Sequence, residues 1–154
     1  MDFSRSLVLI NEIDVINAII NNEPVSIEKL FKNADDLSVE QKLNKLCEIG
    51  YKIVNSSHVE NYDSLIFMFN ELIPESNIGE FCIEFIKFQI NNKEISIEEK
   101  IEKLTSLDYE NVPKSEIKMN FLNNIISLLL SQNIIDIPKL NKYNEELKKL
   151  IDYN

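Results

Sequence analysis

The chain has two glycines, four prolines and one histidine in 154 residues. So little glycine and proline excludes a many-stranded β fold, which needs turn residues about every ten positions. It also leaves no glycine-rich loop to cradle a phosphate, and G-x-S-x-G, H-E-x-x-H and the D-x-D-x-D-G calcium loop are all missing. His58 has no second imidazole to share a metal, and reads as a solvated side chain in the first turn of a helix. Cys47 and Cys82 show no metal or redox spacing, so they read as buried thiols in a reducing cytoplasm rather than as a disulfide. No stretch approaches about 18 uninterrupted apolar residues, and Asn11, Glu12 and Asp14 interrupt the N-terminal apolar run. The sequence therefore predicts neither a membrane span nor a signal peptide.

Basic residues are scarce too: 16 Lys and Arg face 26 Asp and Glu, a net charge of −10. Nucleic acid and anionic membrane surfaces repel such a chain, and the partner it suits is a basic protein. The imbalance is N-terminal, with 14 acids against 6 bases in residues 1–80 and 12 against 10 in 81–154. Between Lys52 and Lys87 there is no Lys or Arg at all, while Glu60, Asp63, Glu71, Glu75, Glu80 and Glu84 all fall there.

What is present is helical. An apolar content of 44% with 27% charged residues is that of a globular domain, and a single domain spanning 1–154 has core enough to need no staple. Apolar spacing predicts about eight short helices. They run over about 4–21, 26–34, 38–54, 57–73, 77–91, 96–107, 114–132 and from Pro138 to the C-terminus. Ser38 with Gln41, Ser57 with Glu60 and Ser96 with Glu99 read as capping boxes, and Asn77 as a further cap. In the first helix the expected core stripe is Leu9, Ile13, Ile16 and Ile20, with Asn11, Asp14 and Ala18 on the far side. The broad apolar arc of 77–91 (Ile78, Phe81, Cys82, Phe85, Phe88) predicts a central helix.

The helices repeat. SVEQKLNKLCEIGY (38–51) matches SIEEKIEKLTSLDY (96–109) at Ser38/Ser96, Glu40/Glu98, Lys42/Lys100, Lys45/Lys103, Leu46/Leu104 and Tyr51/Tyr109. With a one-residue gap, Leu65, Met68, Phe69, Leu72 and Ile73 then fall on Leu122, Ile125, Ile126, Leu129 and Leu130. The expectation is a unit of about 57 residues used twice, in 36–92 and 93–154, with 1–35 as N-terminal helices or a cap. The fold expected is all-α, a compact α-solenoid-like stack, with a single globular helical bundle as the alternative.

No catalytic constellation emerges, so the expected function is non-enzymatic, with no metal or other cofactor. Along a helix over 57–73, Tyr62, Leu65, Ile66, Phe69, Leu72 and Ile73 cluster on one side, and Glu60, Asp63 and Glu71 on the other. Phe67 lies among those acids, pointing about 160° from Phe69. Glu80 and Glu84 share a face of the next helix and extend the acidic patch, which Lys87 ends. An aromatic anchor in an acidic rim predicts a binding surface, comprising Glu60, Asp63, Phe67, Glu71, Glu80 and Glu84, for a basic protein. Small size, acidity and the missing catalytic motifs suit an immunity or antitoxin protein that neutralises a nuclease-type toxin. The alternative is a viral or bacterial host-interaction bundle that captures an amphipathic helix in an apolar groove.

Overall fold

The computed structural model describes residues 3–23, 25–31, 36–56 and 61–152, with side chains from Glu12 onward except those of Lys29 and Asp152. Among these residues the chain forms eight helices and no strand: α1 (Phe3–Ile20), α2 (Ile27–Leu30), α3 (Val39–Asn55), α4 (Asp63–Leu72), α5 (Ile78–Asn91), α6 (Ile97–Thr105), α7 (Glu116–Leu130) and α8 (Ile137–Asp152).

Local polar chemistry sets most of the starts. Ser38 Oγ accepts from the Gln41 backbone N–H (3.1 Å) while Gln41 Oε1 accepts from the Ser38 N–H (2.8 Å), which completes the capping box at α3. Ser96 caps α6 by accepting from the Glu99 N–H (3.1 Å). Two caps were not read from the sequence: Ser115 accepts from the Lys118 N–H (3.3 Å) at α7, and Asp136 from the Lys139 N–H (3.2 Å) at α8. Asn77 does precede α5, but its side chain donates to the Asp108 carbonyl (2.7 Å) instead of capping. α4 begins at Asp63, whose N–H bonds to Asn61 Oδ1 (2.8 Å), and the Ser57–Glu60 box lies outside the described residues. α1 ends in a left-handed Asn22 (φ 56°), with the Glu23 N–H bonded back to the Ala18 carbonyl (2.8 Å).

From α3 to α8 each helix packs on the next in chain order, and α7 also returns to α3. That return is tied by the Glu116 N–H bonded to Glu40 (2.8 Å) and by Asn44 Nδ2 bonded to Glu116 (3.0 Å). α3 and α5 run parallel, because their contacts advance together: Gly50 meets Ile86 and the Tyr51 hydroxyl bonds to Gln89. α4 packs on both and runs antiparallel to α5, its Asn70 meeting Gly79 and its Asp63 sharing a cleft with Lys87. α5 is the central helix its composition predicted, burying Ile78, Phe81, Cys82, Ile83, Phe85 and Ile86. Phe121 from α7 packs edge-to-face against Phe81 (5.0 Å between centroids) and Phe85 (5.4 Å), a T-shaped geometry that aromatic quadrupoles favour.

The face of α1 is a correction. Its core side is Glu12, Val15 and Ile19, while Ile13 and Ile20 of the expected stripe point to solvent, 61% and 44% exposed. The cause is charge: Glu12, 2% exposed, is clamped by Lys45 (2.8 Å) and Lys52 (2.6 Å) of α3. A carboxylate with two ammonium partners can be buried where an unpaired one cannot.

Candidate functional site

α4 is tied down along both flanks, and the ties decide which of its side chains reach solvent. Toward α2, Glu71 Oε1 accepts from the Ile27 N–H (3.3 Å), and Ser64 Oγ donates to the Glu23 carbonyl (3.0 Å). Toward α5, Asn70 Oδ1 accepts from the Gly79 N–H (3.1 Å), and Asn70 Nδ2 donates to Glu80 (3.5 Å). Leu65, Met68 and Phe69 fill the core side. The remaining outward ridge is Asp63 and Phe67, one turn apart, with Phe67 57% exposed.

Beside the ridge, Tyr62, Asp63 and Ile66 face Ile83, Glu84 and Lys87 across an open cleft of about 390 Å³. Close approach of the two helices makes this geometry possible. A Cβ on Gly79 would stand 2.6 Å from the Ile66 carbonyl oxygen, so only glycine fits there. Lys87 lines the cleft, with Nζ 4.7 Å from the Tyr62 ring centroid and 3.6 Å from the Glu84 carboxylate. Burial pushes the Tyr62 phenol above its ordinary value, keeping it neutral under that ammonium. Lys87 also lines the next cleft, between α5 and α6, together with Glu84 and Lys103.

Asp63, Phe67, Glu80 and Glu84 thus share one face of the α4–α5 pair. Glu71 leaves the group, because its carboxylate is half-buried and engaged by α2. Glu60 and His58 lie outside the described residues. Tyr62, Asn70 and Lys87 belong to the face and were not read as part of it. The Glu84-x-x-Lys87 spacing was the available signal, since residues three apart are neighbours on a helix.

The carboxylates of Asp63, Glu80 and Glu84 are solvent-exposed. Such groups attract and orient cationic surfaces over distances near the Debye length, about 8–10 Å. Among the described residues no group of three His, Cys, Asp or Glu side chains is placed to hold a metal, and no helix is long and apolar enough to cross a membrane. No protein-family model, curated protein or solved structure matches the chain.

Proposed function

We propose that the chain is a non-enzymatic binding module that sequesters or inhibits a basic protein through the α4–α5 face, in a cytoplasmic setting. The observation that carries this reading is Phe67, an aromatic ring 57% exposed on a ridge it shares with the exposed Asp63. A buried aromatic anchor contributes on the order of 2 kcal/mol at the centre of an interface. Each exposed acid contributes only about 0–1 kcal/mol and acts chiefly on association rate and partner choice. Affinity then rests on a partner pocket for Phe67, and selectivity on the partner's basic rim. The most specific form of the proposal is an immunity or antitoxin protein that covers the substrate cleft of a nuclease-type toxin; size and net charge support it.

The test is an affinity pull-down from native lysate with three proteins: wild type, Phe67→Ser, and Asp63/Glu80/Glu84→Lys. A basic protein retained by the wild type and lost by both variants, at unchanged helicity, supports the reading. Retention of the same partners by both variants refutes it. For the toxin form, the captured protein has nuclease activity that an equimolar amount of this chain abolishes.

A second reading, capture of an amphipathic helix in an apolar groove, draws on another part of the chain. There Leu130, Ile134 and Ile137, around the α7–α8 connection, are 54%, 88% and 54% exposed. Lysine substitutions on the α4–α5 face leave that mode of binding unchanged.

We also read 36–92 and 93–154 as two copies of one unit. The support is a matched side-chain pair: the Tyr51 hydroxyl donates to Gln89 of α5, and the Tyr109 hydroxyl to Glu146 of α8 (2.7 Å). These are corresponding positions once the one-residue gap is allowed.

A further inference from the structure

Nine large apolar side chains are exposed among the described residues, and seven of them belong to α1 or to the stretch from the last residue of α7 through α8. On α1, Ile13, Asn17 and Ile20 follow one another by four and three residues and form one outward ridge. On α8, Ile137, Asn141, Asn144, Lys148 and Ile151 form a second, at the same alternating spacing. Ile134, the most exposed of the nine, lies three residues before Ile137. The sequence of α1, FSRSLVLINEIDVINAII, has apolar residues on every side, the pattern of a helix covered all round. Within the chain α1 packs on α2 and α3, and α8 on α7, and both ridges stay open.

The charges beside the two ridges are opposite. Between Arg5 and Lys29 the chain has no Lys or Arg, while Asp14, Glu23 and Glu28 are exposed there. α8 exposes Lys139, Lys142, Lys148 and Lys149. Most carboxylates described beside them are engaged. Asp136 accepts from the Lys139 N–H (3.2 Å) and Glu146 from the Tyr109 hydroxyl (2.7 Å), which leaves Glu145 exposed.

We infer that the chain associates with itself, the α1 ridge of one copy packing on the α8 ridge of a second copy. This rests on the second reading above and supplies its helix, α1 of another copy. Pairing unlike ridges covers isoleucines on both sides and sets lysines against carboxylates. Pairing like ridges would set lysines against lysines or acids against acids. The contact is therefore heterologous: each copy in a pair keeps one free ridge, and further copies add until a ring closes or a filament grows.

The experiment is sedimentation velocity of the full chain from low micromolar to submillimolar concentration, at low and high salt. The expected wild-type mass exceeds that of one chain and rises with concentration, and salt lowers it. Ile13/Ile20→Gln and Ile134/Ile137→Gln each weaken self-association at least about tenfold, at unchanged helicity. Val39→Gln, at an exposed position of α3, changes nothing. An equimolar mixture of the two double variants associates again and stops at a heterodimer, because one supplies an intact α8 ridge and the other an intact α1 ridge. A wild type that keeps the mass of one chain throughout overturns the inference. So does a double variant that self-associates as the wild type does, or a mixture no more associated than its components. The pull-down above, repeated with Ile134/Ile137→Gln, separates the two readings: a monomeric wild type that captures a different protein through these residues overturns self-association and leaves the second reading standing, and a monomer that captures nothing through them overturns both.

Discussion

Replacing Gly79 by alanine puts the close approach of α4 and α5 to a direct test. In isolation the change favours the helix, because alanine exceeds glycine in propensity by about 1 kcal/mol at an interior site and by less at the second residue of α5. The structure opposes it. The new methyl would meet the Ile66 carbonyl oxygen at 2.6 Å, Ile66 Cγ2 at 2.9 Å and Asn70 Oδ1 at 3.0 Å. A backbone carbonyl inside a helix cannot swing aside, so α4 and α5 must separate, at a cost of about 1–3 kcal/mol for overpacking. Separation also stretches the Gly79 N–H to Asn70 hydrogen bond, worth about 0.5–1.5 kcal/mol. The expected net loss is about 1.5–3 kcal/mol, or roughly 4–10 °C in Tm for a domain of this size. Gly50→Ala is the matched control: its methyl meets side-chain ends and no backbone, Ile86 Cδ1 at 2.9 Å and Leu65 Cδ2 at 3.7 Å. It should stay within about 1 kcal/mol of wild type, as the propensity gain offsets a side-chain adjustment. Urea unfolding followed by far-UV circular dichroism separates the two. A Gly79→Ala protein as stable as wild type, or equal losses for both variants, would refute the reasoning.

Three further predictions rest on other parts of the molecule. Burial raises the Glu12 carboxyl, but the hydrogen bonds and charges of Lys45 and Lys52 outweigh it and hold the group below its usual 4.5. Burial likewise lowers the Lys45 ammonium, and Glu12 and Glu48 outweigh it, holding that group above 10.5. The carboxylate's contribution is therefore complete above pH 4.5 and fades as pH falls through the folded-state value, while that of Lys45 is complete below 10.5 and fades as pH rises through its own. Glu12→Gln should cost about 1–3 kcal/mol near neutrality, reduced from a fully buried pair because Lys52 is largely exposed. The gap to wild type should close in acid, and a pH-independent gap in denaturant titrations counts against the clamp. Phe67→Ala should leave stability within about 0.5 kcal/mol and weaken partner binding by about 2 kcal/mol. Glu71→Ala should instead cost about 1 kcal/mol of stability through the lost bond to Ile27 and leave binding intact. Calorimetry on both variants checks this division, and the opposite pattern overturns the assignment of the face. Glu75 sits in the left-handed region (φ 64°), so Glu75→Gly should raise stability by about 0.5–1 kcal/mol, and a loss in thermal melts argues against relieved strain.

The helices were legible in the sequence wherever a start signal and an apolar period agreed. Ser38 and Ser96 are the clear cases: each hydroxyl finds the backbone N–H three residues on, a contact that depends on nothing outside its own turn. The face of α1 was not legible. Its apolar period favours Ile13 and Ile20, and the lysines that draw Glu12 inward come from a helix far along the chain. Asn77 shows the same limit, since a side chain able to cap its own helix bonds to the Asp108 carbonyl once the fold brings that group near. At the candidate site, helical geometry alone placed Phe67 and Asp63 outward. The contact of Glu71 was not legible, because its partner, the Ile27 N–H, is an orphan donor at the start of another helix. Sequence reveals what a residue can do, and long-range polar contacts decide which of those things it does.

The ridge that carries Phe67 has its shape before anything touches it. Side-chain-to-backbone bonds run from both flanks of α4, to the Ile27 N–H and Glu23 carbonyl on one side and the Gly79 N–H on the other. If this face docks a partner as proposed, it offers a surface that needs no folding and little side-chain ordering beyond the ring itself. Much of the entropy that flexible recognition segments lose on docking has already been lost here, during the folding of the chain. For the docking proposed above, the expectation is a rigid-body encounter in which α4 keeps its free-state position.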